Sequence, residues 1–241
     1  MKIAVVDIGN TRQKAALYEA GEVLDEISSE VIPLSHFKSW KQKYNVRYLM
    51  YSSVAEDNAE YLNTLGSLFE LHSLREMSLP FSMAYQTPES LGSDRLACMV
   101  AASALYPHQT VLVVQCGSCL TFDLLHGDVY QGGSIAPGLQ MRFRALSDYT
   151  ARLPLCSLDG NVPMVGTSTQ GCIQAGVWHG FVSECATMIE KYRSHYEEVN
   201  VILTGGDAAM LKDNLKNSIF AHPNLVMYGL YVIMSKYVEN K

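Results

Sequence analysis

No run of lysine or arginine stands out in this chain of 241 residues, and its formal balance, 18 basic against 24 acidic side chains, is −6. A nucleic-acid surface needs a concentrated positive field, so none is indicated and nucleic acid is not an expected partner. Long hydrophobic runs are also missing. No apolar stretch reaches the roughly 18–20 residues of a membrane span, and no membrane partner is expected. One lysine precedes the first strand-like run without a signal-peptide pattern, which gives a cytoplasmic protein as the expectation. None of the seven histidines pairs with another at metal-ligand spacing, so no chemistry is assigned to them. Cys116-x-x-Cys119 resembles half of a redox or zinc site, but a second Cys/His pair at suitable spacing is lacking. The six cysteines therefore read as reduced thiols packed in the core. Low-complexity linkers are absent too. What is present is 48% hydrophobic and 17% charged residues, enough for a substantial core and two lobes of ordinary size.

The most informative feature is a repeated phrase. Val5-Val6-Asp7-Ile8-Gly9-Asn10-Thr11 returns as Val113-Val114-Gln115-Cys116-Gly117-Ser118-Cys119. Each copy is a β-branched run ending in a polar residue, then a glycine among small polar side chains. That is a buried strand entering a tight turn, where backbone N–H groups and hydroxyls can meet phosphate. The duplication predicts two related α/β lobes closing on a nucleotide, each a mixed sheet flanked by helices, as in the actin-like, sugar-kinase-like ATPase fold. The lobes are expected at 1–108, carrying the phosphate-binding turn, and 109–241, carrying the second turn and an adenosine-side loop.

Along the first lobe the pattern predicts strands at 2–8, 14–18, 23–28 and 46–53. Helices are predicted at 34–44 and 58–66, with a short strand at 69–71. Leu96–Leu105 reads as a helix with Asp94 in its first turn, where the helix dipole favours a carboxylate. The second lobe repeats the opening with strands at 110–115, 120–125 and 129–130. Gly132–Gly138 then reads as an ordered loop and Met141–Ser147 as a helix. A long helix over 169–196, a strand at 199–203, a helix from about 208 and a last helix at 225–237 complete the pattern.

Three clusters carry chemistry. In the first, Asp7 would hold magnesium directly or through water, because a triphosphate needs a bridging hard cation. Lys14 on the returning strand either neutralises phosphate oxygens or is a solvated strand lysine. In the second, Gly92-Ser93-Asp94-Arg95, Asp94 could accept a hydroxyl proton while Arg95 anchors an anionic group. The same residue types also suit a helix cap with a surface ion pair. In the third, Thr204-Gly205-Gly206-Asp207, the glycines permit close approach of a flat ring or make a plain strand-to-helix turn.

Taken together, these motifs resemble the type III pantothenate kinases. Asp-x-Gly-Asn-Thr stands at Asp7–Thr11, and Gly-x-Asp-Arg at Gly92–Arg95 after Tyr85 and Pro88-x-x-Leu91. Gly-Gly-x-Ile-x-Pro-Gly stands at 132–138, followed by Met141-Arg142, Ala145-Leu146, Thr150 and Leu153-Pro154. Gly166-Thr167-Ser168-Thr169, Ile173-Gln174-Ala175-Gly176 and Thr204-Gly205-Gly206 close the series. The resemblance spans essentially the whole chain.

The resemblance implies ATP-dependent phosphorylation of pantothenate to 4′-phosphopantothenate, the first step of coenzyme A synthesis, with Mg2+ accompanying ATP. It implies Asp94 as catalytic base. ATP contacts would come from Asp7, Ile8, Gly9, Asn10, Thr11, Arg12, Gln13, Lys14 and Ser118. Pantothenate contacts would come from Tyr85, Gly92, Ser93, Asp94, Arg95 and Thr169. A homodimer is implied, with the partner subunit helping to cover the pantothenate pocket. The family usually has an acid two residues before the second-turn glycine, binding a monovalent cation such as K+ or NH4+. Gln115 replaces it here, and Asp123 is the other acid retained as a cation-site candidate. A rival reading on the same scaffold is a non-enzymatic transcription-accessory regulator, and a second is a kinase for another small hydroxylated acid.

Overall fold

Alternating apolar runs broken by turn residues fold much as their spacing dictates. The computed structural model describes residues 1–9, 11–53, 59–215 and 219–241. β1 (Lys2–Ile8), β2 (Gln13–Glu19) and β3 (Glu22–Ser29) form an antiparallel meander. Ala20 and Gly21 turn β2 into β3 with φ of 51° and 88°, the positive values that a tight hairpin demands. α1 (Leu34–Tyr44), β4 (Tyr48–Ser53), α2 (Ala59–Leu68) and β5 (Glu70–Ser73) follow. β4 pairs parallel with both β1 and β5, giving a five-stranded sheet in the order β3-β2-β1-β4-β5.

β6 (Ser82–Met83) and α3 (Ser93–Leu105) lead to β7 (Thr110–Cys116), β8 (Cys119–His126) and β9 (Val129–Pro137). α4 (Leu139–Asp148), α5 (Thr169–His195), β10 (Asn200–Thr204), α6 (Ala208–Lys212), β11 (Phe220–Ala221) and α7 (Leu225–Glu239) complete the chain. The second sheet runs β11-β10-β7-β8-β9-β6.

The chain divides into two compact units. One comprises Met1–Pro107, Asp128–Tyr130 and Asn224–Lys241; the other comprises His108–Gly127 and Gln131–Pro223. The last helix groups with the first unit although it lies at the far end of the chain. Its packing explains why. α7 lies on α3, β1, β2 and β4. At Gly229 a Cβ would stand 1.9 Å from the Ala97 carbonyl oxygen, so the glycine lets the α3 and α7 backbones touch. In this unit Ala4, Val6, Ile8, Leu17, Phe37, Trp40 and Leu65 form a core between one sheet face and α1 and α2.

In the second unit Leu112, Val114, Leu120, Phe122, Phe143, Trp178, Phe181 and Ile189 form a core that joins one sheet face to α4 and α5. Two expectations are corrected here. The Gly/Pro-rich stretch 132–138 is not a loop, because β9 continues to Pro137. A Cβ at Gly133 would fall 1.8 Å from the Phe122 carbonyl oxygen, so the glycine that suggested a break permits close approach to β8. Cys172 is exposed rather than in the core, and none of the six cysteines, all among the described residues, is in a disulfide.

Candidate active site

Alternation along β1 puts Ala4, Val6 and Ile8 into the α1/α2 core and leaves Asp7 on the other face. Register then sets its neighbours. Lys14 pairs with Asp7 across the antiparallel ladder and Ser52 pairs with it across the parallel one. A row Lys14–Asp7–Ser52 therefore crosses three adjacent strands. Ser52 is 1% exposed, and its hydroxyl donates to Asp7 Oδ1 at 2.5 Å. Burial pushes the Asp7 carboxyl up to about 6; the Ser52 hydrogen bond opposes this, the charge of Asp94 adds to it and the charge of Lys14 subtracts. Two carboxylates thus sense one another within the first unit.

Asp94 is in the first turn of α3, as its position in the sequence predicts. Gly92 caps that helix, and a Cβ there would stand 2.7 Å from Asp94 Oδ1, so the glycine makes room for the carboxylate. Ser93 is buried and donates to the Ser53 carbonyl at 2.6 Å, which ties the start of α3 to the end of β4. Arg95 is also buried, with Nη2 donating to the Tyr130 hydroxyl at 3.1 Å. Tyr85 is half-buried, its ring 5.8 Å from that of Tyr130. No sequence motif marks Tyr130. Its signal lies in pairing alone, since Ser82–Met83 of β6 adds to Val129–Tyr130 of β9.

The first turn closes through Gly9 N–H to the Arg12 carbonyl at 3.1 Å, and a Cβ at Gly9 would sit 2.8 Å from that oxygen. Thr11 and Arg12 are exposed, whereas Ile8 is in the core. Gln13 turns inward: its Oε1 accepts from Ile32 N–H at 2.8 Å and from the Tyr61 hydroxyl at 3.3 Å. Asn10 lies outside the described residues.

In the second unit the repeated phrase makes a matching row. Gln115 pairs with Thr121 on β8 and with Thr204 on β10, opposite the apolar face of the sheet. Thr121 donates to Asp123 Oδ2 at 3.1 Å, and Asp123 is 1% exposed. The turn closes through Gly117 N–H to the Cys119 carbonyl at 2.9 Å, with Ser118 exposed. Two glycines from elsewhere wrap it. A Cβ at Gly138 would meet the Gly117 carbonyl oxygen at 2.2 Å, and one at Gly205, whose φ is +99°, the Cys116 oxygen at 2.1 Å. The Asp207 N–H also donates to that Cys116 oxygen at 3.2 Å, and burial raises the Asp207 carboxyl above its ordinary value. Thr169 is exposed as the first residue of α5, beside Ser168, whose hydroxyl caps the helix at the Gly171 N–H.

A family model described as type III pantothenate kinase matches residues 3–191. A type III pantothenate kinase of Flavobacterium johnsoniae is 37% identical over 242 residues, covering 99% of each chain. The chain belongs to the type III pantothenate kinase family. Among solved structures, a protein described as a Baf family transcriptional activator from Campylobacter jejuni superposes with a TM-score of 0.63 at 21% identity, over 98% of this chain and 99% of that one. The activator of 2-hydroxyisocaproyl-CoA dehydratase from Clostridium difficile, solved with bound ADPNP, gives 0.52 at 12% identity over 100% and 97%. At such identities the likenesses show the fold alone, which is the actin-like, sugar-kinase-like ATPase fold. The regulator reading gains no support beyond that distant likeness.

Proposed function

We propose that this type III pantothenate kinase family member transfers the γ-phosphoryl group of ATP to the primary hydroxyl of pantothenate, with Asp94 as the proton acceptor. The observation that carries the roles is the pairing of Asp7 and Asp94. One acid lies in a buried strand row beside a lysine, and the other in the first turn of a helix over a glycine. Phosphoryl transfer is loose, so the acceptor hydroxyl becomes acidic late, and a carboxylate placed beside it suffices to take its proton. Lys14 would offset charge on phosphate oxygens, and the Gly9 turn would bring backbone donors close to them. Arg95, held by Tyr130, is suited to anchor the acceptor's carboxylate.

The divalent ion fits Asp7. A carboxylate whose ionisation is opposed by burial and by a second acid gains most from a hard cation. Among the described residues no three His, Cys, Asp or Glu side chains gather as a metal cage, so such an ion would share its coordination with phosphate oxygens. When bound, it supplies charge neutralisation and geometry to the transferring group.

The other ATP contacts assigned to residues 8–13 and Ser118, the pantothenate contacts at Tyr85, Gly92, Ser93 and Thr169, and the monovalent-cation role of Gln115 and Asp123 belong to this same reading. So do the cytoplasmic location and the homodimer. No helix among the described residues is long and apolar enough to cross a membrane. Exposed Tyr149, Leu155, Met164 and Val165, all within one stretch of the second unit, favour a covering partner. A coupled kinase assay across pantothenate and other small hydroxy acids tests the assignment. Turnover preferring pantothenate is expected, and no turnover with it would overturn the acceptor.

A further inference from the structure

Ser52 belongs to none of the motifs that mark the site, yet it makes a close contact with the acid that the proposed function places on the cation. It is the second-last residue of β4, whose sequence Tyr-Leu-Met-Tyr-Ser-Ser changes from bulky to small and polar just where the strand reaches Asp7. Parallel register puts Ser52 directly beside Asp7, and strand partners in register project to the same face. The 2.5 Å bond to Asp7 Oδ1 is in the short range of hydroxyl–carboxylate bonds. At 1% exposure the Ser52 hydroxyl has little water to compete for it, and a buried hydroxyl without a partner is costly. With Oδ1 held, rotation of the carboxylate is restricted, which would leave Oδ2 to take a hard cation.

The neighbouring residue supports the other acid. Ser53 offers its carbonyl to Ser93, immediately before Asp94. The end of β4 therefore holds the Asp7 carboxylate directly and ties down the residue before Asp94, and a group held by a strand is better fixed than one held by a loop. An alanine in this place would pack in the sheet without the hydroxyl, so packing alone does not call for serine.

We propose that Ser52 is a positioning residue that orients the Asp7 carboxylate for the nucleotide-bound divalent cation. This rests on the role given to Asp7 above, so the test reads cation and nucleotide binding separately from turnover. Ser52→Ala and Ser52→Thr are compared with the natural protein by spin-resonance titration of Mn2+ with a non-hydrolysable ATP analogue. Pantothenate binding by calorimetry, urea midpoints and steady-state rates are measured alongside. For Ser52→Ala, Mn2+–nucleotide affinity is expected to fall about tenfold and kcat by about tenfold, with pantothenate affinity changed less than twofold. Ser52→Thr, which keeps the hydroxyl, is expected to recover most of the Mn2+ affinity. Unchanged Mn2+ affinity in a folded Ser52→Ala protein would overturn the proposal. Equal loss of both ligands together with a lowered urea midpoint would also overturn it, because the bond would then be only structural. If the natural protein binds Mn2+–nucleotide but does not phosphorylate pantothenate, the acceptor assignment fails and the Mn2+ comparison still decides the role of Ser52.

Discussion

The two rows that cross the two sheets share a register but not a chemistry. In the first unit Asp7 lies between Lys14 and Ser52; in the second Gln115 lies between Thr121 and Thr204. Each central residue is the second-last of a buried strand and is followed two positions later by the turn glycine. The backbone device is therefore duplicated, while charge is concentrated in one copy. A carboxylate in a partly buried row carries a charge whose burial must be compensated, whereas an amide between two threonines carries none. On the proposed reading the first row meets the charged nucleotide, and the second lies beside the turn that Gly117 closes.

The largest expected effect is at the other acid of the first unit. Asp94→Asn should lower kcat by roughly 10²–10⁴, the usual worth of a general base, while ATP affinity stays within a few-fold. Steady-state kinetics and nucleotide calorimetry check it, and retention of more than a tenth of the natural rate would remove Asp94 from the mechanism.

Next comes the contrast itself. Asp7→Ala should weaken use of Mg2+–ATP by about tenfold or more and leave pantothenate binding nearly unchanged. Gln115→Ala should have the smaller effect on the Mg2+ dependence. Equal responses in magnesium titrations would erase the distinction between the rows.

The second turn can be broken through its backbone. Gly205→Ala forces a side chain into a left-handed conformation and onto the Cys116 carbonyl. The cost should be about 2 kcal/mol or more, several degrees in melting temperature. Gly117→Ala, whose added Cβ would meet nothing nearer than 3.9 Å, should cost much less. Calorimetric melting of both variants measures the difference.

A pH comparison sharpens the charge argument. Asp7 titrates near 6 when folded and near ~3.9 when unfolded, so between those values the folded protein binds more protons. Stability contributed at this position therefore falls as pH rises through about 4 to 6. In the absence of nucleotide, Asp7→Asn should raise the urea midpoint at pH 7.5, and the gain should fade as pH drops below about 4. Gln115, having no charge to lose, should give no such profile when replaced by Asn.

The smallest expected effect concerns the monovalent cation. An amide oxygen offers a dipole where a carboxylate offers a charge, so Gln115→Asp should increase K+ affinity over the natural protein. Initial rates against KCl in buffer free of potassium and ammonium test this. Strong saturable activation of the natural protein, unchanged in the variant, would assign the cation to other groups such as Asp123.

Much of this is legible in the sequence. Alternation over residues 2–8 and the glycine two places after Asp7 specify a strand and a turn, because a period of two and a glycine-only approach are local demands. Asp94 in the first turn of α3 followed from the small-residue helix behind it. The motifs of the family, spread in order along the chain, point to the family to which the chain belongs. Gly132–Gly138 departs from its local signal: glycine and proline suggest a break, and only the position of Phe122 shows that Gly133 is needed for a strand to approach.

The sequence by itself determined the strand-and-turn duplication, the order of elements and the two acids, since each depends on neighbours a few residues apart. Only the tertiary structure decided that Ser52 meets Asp7, that Ser93 is tied to Ser53, that Gln13 points into the core, and that Gly138 and Gly205 wrap the second turn. Those facts depend on register between strands and on the return of distant segments. Pairing of that kind is fixed by the packing of whole sheets, which no local pattern encodes.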